Sequence, residues 1–213
     1  TINDYVAAHP DVDTDRIYLG GCSNGGYMTM NMVIQYPEYF AAAYPVCEAY
    51  AYYEYERNCD GTYVKMNDEA TGTSAFVKTE QPWFTEEKIQ AIKDLPIWLV
   101  QSADDPVVVP ANYMLPTYQA LVKAGAENTW MSYFETVEGT DSPGTTYLGH
   151  FSWIYLFNNQ VTGVQDKEAI AAAADTETFG SEPSNAAGGG TAAATVGGTT
   201  YANIFEWLNA QSK

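Results

Sequence analysis

The stretch Arg16-Ile17-Tyr18-Leu19-Gly20-Gly21-Cys22-Ser23-Asn24-Gly25-Gly26-Tyr27-Met28 decides the fold. Residues 16–20 are a short apolar run behind an aspartate-rich turn, the signature of a buried strand. From 25 to 36 apolar residues recur at helical spacing (Tyr27, Met28, Met30, Met32, Val33), and the pattern stops before Pro37. Between the two lies Gly21-Cys22-Ser23-Asn24-Gly25, a Gly-x-Ser-x-Gly motif at a strand-to-helix junction. A serine on so sharp a turn takes a strained backbone conformation. Side chains two residues to either side would collide, so both flanks favour glycine. The same turn aims the first N–H groups of the helix at the reaction centre, with the Asn24 N–H as one donor for an oxyanion.

Working outward, residues 1–8 read as the end of an amphipathic helix closed by His9-Pro10. Further strands are expected at 41–46, 96–101 and 130–137, and further helices at 86–93, 111–124 and 201–211. Strands alternating with helices imply an α/β fold, a mostly parallel sheet with helices on both faces. Two stretches break the rhythm. Residues 48–82 are polar and aromatic without clear period and suggest an excursion above the sheet; its tyrosines suit packing better than substrate contact, though either fits. Residues 179–200, rich in glycine and alanine, read as a flexible surface loop.

With 213 residues and 46% hydrophobic content, the chain can bury a core as one domain. Nine basic residues against 27 acidic ones give a net charge of -18. A field of that sign repels phosphate backbones and anionic lipid, so neither nucleic acid nor a membrane is expected as a partner. The cysteines, Cys22, Cys47 and Cys59, lack the paired spacing of a zinc site, and no metal is expected. Cys47 and Cys59 could close one small disulfide loop. Together with the scarcity of charged residues, this favours a secreted or extracellular protein.

A serine hydroxyl needs a base and an orienting acid. After the third strand comes Ser102-Ala103-Asp104-Asp105-Pro106-Val107-Val108, carboxylates at a strand's C-terminal end, where open parallel sheets carry their sites. After the fourth comes Gly149-His150-Phe151-Ser152-Trp153. His150 is the candidate base. The other histidine, His9, precedes the elbow strand and a proline, a poor position for one.

These residues together resemble the α/β-hydrolase superfamily: Gly-Cys-Ser-Asn-Gly-Gly after Asp-Arg-Ile-Tyr, then Asp-Pro-Val-Val, then Gly-His-x-x-Trp. The nearest relatives suggested are exported carboxylesterases related to polyhydroxybutyrate depolymerases, feruloyl esterases and prolyl-oligopeptidase-type peptidases. The likeness runs from Thr1 to about Tyr155 and resumes at Ile204-Phe205-Glu206-Trp207-Leu208. It implies Ser23 as nucleophile, His150 as base and Asp105, in preference to Asp104, as acid. It also implies a small-molecule or polymeric ester substrate and no cofactor.

The family fold places several strands, and a loop with the second oxyanion donor, ahead of the elbow. The chain is therefore expected to be the C-terminal portion of a single hydrolase domain, partnered by an N-terminal segment of the same hydrolase, possibly as a separate chain. The alternatives are a serine peptidase of prolyl-oligopeptidase type and a non-catalytic binding module on the same fold.

Overall fold

The computed structural model describes residues 1–68, 73–139, 142–174 and 182–213. Helix α1 (Ile2–Ala8) buries no side chain and leads through a turn into β1 (Tyr18–Cys22). The strand lies two residues later than its apolar run suggests, because its glycines pair with β2 (Ala42–Val46) and carry it directly into Ser23. Helix α2 (Asn24–Gln35) follows and ends before Pro37. Helix α3 (Glu86–Ile92), β3 (Ile97–Ser102), α4 (Met114–Lys123) and β4 (Thr129–Phe134) then alternate as expected.

The central sheet has the order β1-β2-β3-β4, all parallel, with Cys22 opposite Val46, Val46 opposite Val100 and Ser102 opposite Phe134. Every strand therefore ends at one rim. The period of two divides the core into two layers. Ile97 and Leu99 point to the layer built with Met30 and Val33 of α2, Ile89 and Ile92 of α3, and Tyr118 and Leu121 of α4. Trp98 and Val100 point to the opposite layer. There they meet Tyr155 and Leu156 of α5 (Trp153–Phe157) and Trp207 and Leu208 of the final helix. Both faces of β3 are buried, which is why its sequence reads as a continuous apolar run.

Two helices of the C-terminal part, α5 and α6 (Lys167–Ala172), escape the sequence reading because each is under two turns long. The last, α7 (Ile204–Ala210), starts where Asn203 accepts from the N–H groups of Phe205 and Glu206. The excursion consists of antiparallel pairs, 53–55 with 78–82 and 65–68 with 73–76. Of the Gly/Ala-rich stretch expected as a flexible surface loop at 179–200, residues 179–181 lie outside the described residues. The Gly189 carbonyl accepts from the Tyr133 N–H at 2.8 Å, Ser184 donates to the Tyr133 carbonyl, and Ala194 is fully buried. The segment covers the outer edge of β4, and its small residues are what allow so close an approach. Among the described residues no helix is long and apolar enough to cross a membrane.

One acid is buried where α2 crosses β2. Glu48 is wholly inside, and one of its oxygens accepts from the Tyr50 N–H. Burial raises its carboxyl well above the usual range, against the opposing effect of that N–H, and so favours its protonated form. A group with a raised folded value contributes stability in full only below its unfolded value of about 4.3. Above that point its contribution falls by about 1.4 kcal/mol per pH unit until the folded value is reached. Glu48→Gln, which mimics the protonated acid, should leave the melting temperature near that of the wild type at pH 4 and raise it increasingly as the pH climbs above 5. Parallel thermal melts across that range check this, and a constant offset between the two proteins would contradict it.

Candidate active site

Ser23 occupies a left-handed backbone conformation, φ 59° and ψ -118°, between β1 and α2. Its N–H is held by the Val46 carbonyl at 3.0 Å. A Cβ on Gly21 would lie 2.6 Å from the Gly25 carbonyl group, so the glycine two residues before Ser23 is required. The glycine after it is not: a Cβ on Gly25 meets nothing within 4 Å. The second close approach belongs to Gly26, where a Cβ would sit 2.7 Å from Cα of Glu48 as α2 passes over β2. Asn24 is the first residue of α2, so its N–H has no acceptor within the helix and is available beside Ser23.

The loop after β3 supplies two carboxylates with different environments. Asp105 is 3% exposed. One of its oxygens accepts from the N–H groups of Val107 and Val108 at 2.8 and 2.9 Å, and the other lies 2.9 Å from Nδ1 of His150. Gln101 also donates to it, at 3.4 Å. Asp104 instead accepts from the Ser102 hydroxyl and lies against Gly149, while the carboxylate paired with the imidazole is that of Asp105. His150 sits in a single turn of 3-10 helix (Gly149–Phe151), is 7% exposed, and reaches Ser23 Oγ with Nε2 at 3.0 Å. The Trp153 ring meets its imidazole edge-on at 5.5 Å. With Nδ1 facing a carboxylate, the neutral ring carries its proton there and presents the Nε2 lone pair to the serine hydroxyl. Such a chain can withdraw the hydroxyl proton as the oxygen attacks a carbonyl. Three elements that are distant in sequence thus bring Ser23, Asp105 and His150 together. His9 is not among them; its Nδ1 lies 2.7 Å from the Tyr5 carbonyl at the end of α1.

The expected disulfide is not formed. All three cysteines are free, Cys47 buried and Cys59 exposed on the excursion, so the fold holds the two thiols in different environments. Short spacing cannot reveal that one of them follows a central strand. Cys47 has φ 38° and lies under the site. Burial pushes its thiol up to about 12, opposed by the Ser23 backbone N–H and the Ser152 hydroxyl and reinforced by the Asp105 charge. Cys22 is half-buried, and burial raises its thiol too.

The tyrosines of the excursion divide by role. Tyr50 packs into the core, 3% exposed. Tyr53, Tyr55 and Tyr63 instead line a cavity of about 360 Å³ with Trp83, Arg57 and Tyr27. Tyr27 stands one helical turn beyond Ser23, its N–H donating to the Ser23 carbonyl at 2.9 Å. Nothing in the aromatic spacing separates wall residues from core residues, because the hairpins that sort them are formed by long-range pairing.

The prolyl oligopeptidase family model matches residues 1–147. A crystal structure of a thermostable esterase is similar with a TM-score of 0.53 and 24% identity, covering 100% of this chain and 35% of that one. The uncomplexed acylaminoacyl peptidase of Pyrococcus horikoshii matches with a TM-score of 0.46 and 18% identity, over 74% of this chain and 25% of that one. The chain thus spans about a third or less of these structures' length. No curated protein sequence matches it.

The two neighbouring carboxylates make a direct test. Asp105→Asn should lower turnover by roughly a thousandfold or more, because an amide cannot hold the imidazole in the required tautomer. Asp104→Asn keeps an acceptor for the Ser102 hydroxyl and should cost less than about tenfold. Steady-state kinetics of the two variants decide it; the reverse order would reassign the acid.

Proposed function

Because the chain belongs to the prolyl oligopeptidase family of serine hydrolases, we propose that it cleaves carboxylic esters through a Ser23-His150-Asp105 triad and an acyl-enzyme intermediate. The observation that carries the reading is the unbroken hydrogen-bonded path from Asp105 through both imidazole nitrogens to Ser23 Oγ. Ser23 Oγ attacks the ester carbonyl while His150 Nε2 takes its proton. Asp105 holds the imidazolium that forms, and the Asn24 N–H donates to the oxyanion. His150 returns the proton to the leaving alkoxide, and water repeats the cycle on the acyl enzyme. No step calls for a cofactor.

The second oxyanion donor is assigned to an N-terminal segment of the same hydrolase, within the whole chain or as a separate one. That assignment is supported by the outer edge of β1, which among the described residues pairs with no strand besides β2. The cavity beside Tyr27 suits a ring-bearing acyl or alcohol group, since aromatic walls stack on planar or pyranose faces. A low charged fraction supports export; with the cysteines free, disulfides add nothing to that reading.

A second reading, a serine peptidase, is favoured by the family itself, since one triad can cleave esters and amides. Assays of the whole protein on an aryl acetate and on a peptide anilide separate the two; a kcat/KM at least a hundredfold higher on the acetate is expected, and the reverse preference would establish the peptidase. A fluorophosphonate probe should label the wild type and leave Ser23→Ala unlabelled. Failure to label the wild type would favour a non-catalytic binding module.

A further inference from the structure

Beneath the nucleophile the fold gathers a second set of groups. Cys47 Sγ, an Asp105 carboxylate oxygen and a His150 ring nitrogen all lie within 4.8 Å of one another, the only such trio among the described residues. Cys47 is fully buried, Asp105 3% exposed and His150 7% exposed. The first has no place in the hydrolytic cycle. Around a tetrahedral ion with bonds of about 2.0 to 2.3 Å, neighbouring ligand atoms stand about 3.3 to 3.8 Å apart, so small side-chain shifts would seat one. We propose that Cys47, Asp105 and His150 form an inhibitory site for a thiophilic divalent cation of the zinc and cadmium class.

The chemistry of the donors selects the ion. Thiolate, imidazole and carboxylate together suit zinc and cadmium, whereas magnesium and calcium require a shell of oxygens. Charge balance favours the same outcome. On binding, Cys47 loses its thiol proton to solvent, while the ring proton of His150 moves from Nδ1 to Nε2 and frees Nδ1 as the ligand. A thiolate, a carboxylate and a dication then sum to zero with the imidazole neutral, which suits a buried site. The metal takes the position of the proton shared between Asp105 and His150. The imidazole is then held by the ion with its proton on Nε2, so it has no lone pair left to take the proton of Ser23. Binding requires only these side chains. The loss of turnover additionally rests on the hydrolase reading above.

The test is a cadmium titration of the whole protein, read by the sulfur-to-cadmium ultraviolet charge-transfer band and by turnover. The wild type should bind one ion with that band and lose turnover at least tenfold, recover on adding a chelator, and ignore equal concentrations of magnesium or calcium. Cys47→Ala should keep turnover within about threefold, show no band, and need at least tenfold more cadmium for half-inhibition. If the alanine variant does not fold, Cys47→Ser serves, since its hydroxyl fills the space and gives no sulfur band. Ser23→Ala should show the band unchanged, so binding is read even where no substrate is turned over. A band that survives in Cys47→Ala and vanishes in Cys59→Ala or Cys22→Ala would overturn the site. So would equal inhibition of the wild type and Cys47→Ala.

Discussion

The rest of the molecule is arranged around one unfavourable backbone conformation. A serine with φ near 59° is costly for a residue with a side chain, and it persists only because strand, helix and neighbouring strand all hold it. The Ser23 N–H is fixed by the Val46 carbonyl, Gly21 allows the chain to fold back on Gly25, and Gly26 lets α2 lie against Glu48. In return the hydroxyl stands at the rim where the four parallel strands end, facing the loops after β3 and β4. Relaxing that turn would withdraw the hydroxyl from His150.

Around this point the fold separates two carboxylates that are adjacent in sequence. Asp105 is desolvated, yet it receives two backbone N–H groups and the imidazole, so its charge is compensated and its orientation set. Asp104 is fixed by a hydroxyl on the preceding strand end. Glu48 meets a single N–H against complete burial, which raises its carboxyl well above the usual range.

The excursion contributes shape. Its antiparallel pairs carry Tyr53, Tyr55 and Tyr63 to the wall of a cavity, while Tyr50 sinks into the core with Phe84. Several cations are placed over these rings, Arg57 over Tyr63 at 4.2 Å and Lys88 over Trp83 at 4.0 Å among them. In a chain with nine basic residues that concentration helps order segments that the main core does not reach.

The sequence by itself determined the alternating α/β architecture, the elbow at Ser23 and the order of the candidate nucleophile, acid and base. Each rests on local rules: strand and helix periods, a turn that requires glycine, and loops that fall after strands. It also favoured Asp105 over Asp104, though only through the likeness of Asp105-Pro106-Val107-Val108 to a family pattern. Tertiary structure alone decided the rest. It turned Asp105 rather than Asp104 toward the imidazole, showed Gly26 rather than Gly25 to be the second close contact, and kept Cys47 and Cys59 apart. It also packed the Gly/Ala-rich stretch from 182 onward along β4 and sorted the tyrosines between core and cavity. All of these depend on which surfaces meet after the sheet has formed, and distance along the chain carries no record of that.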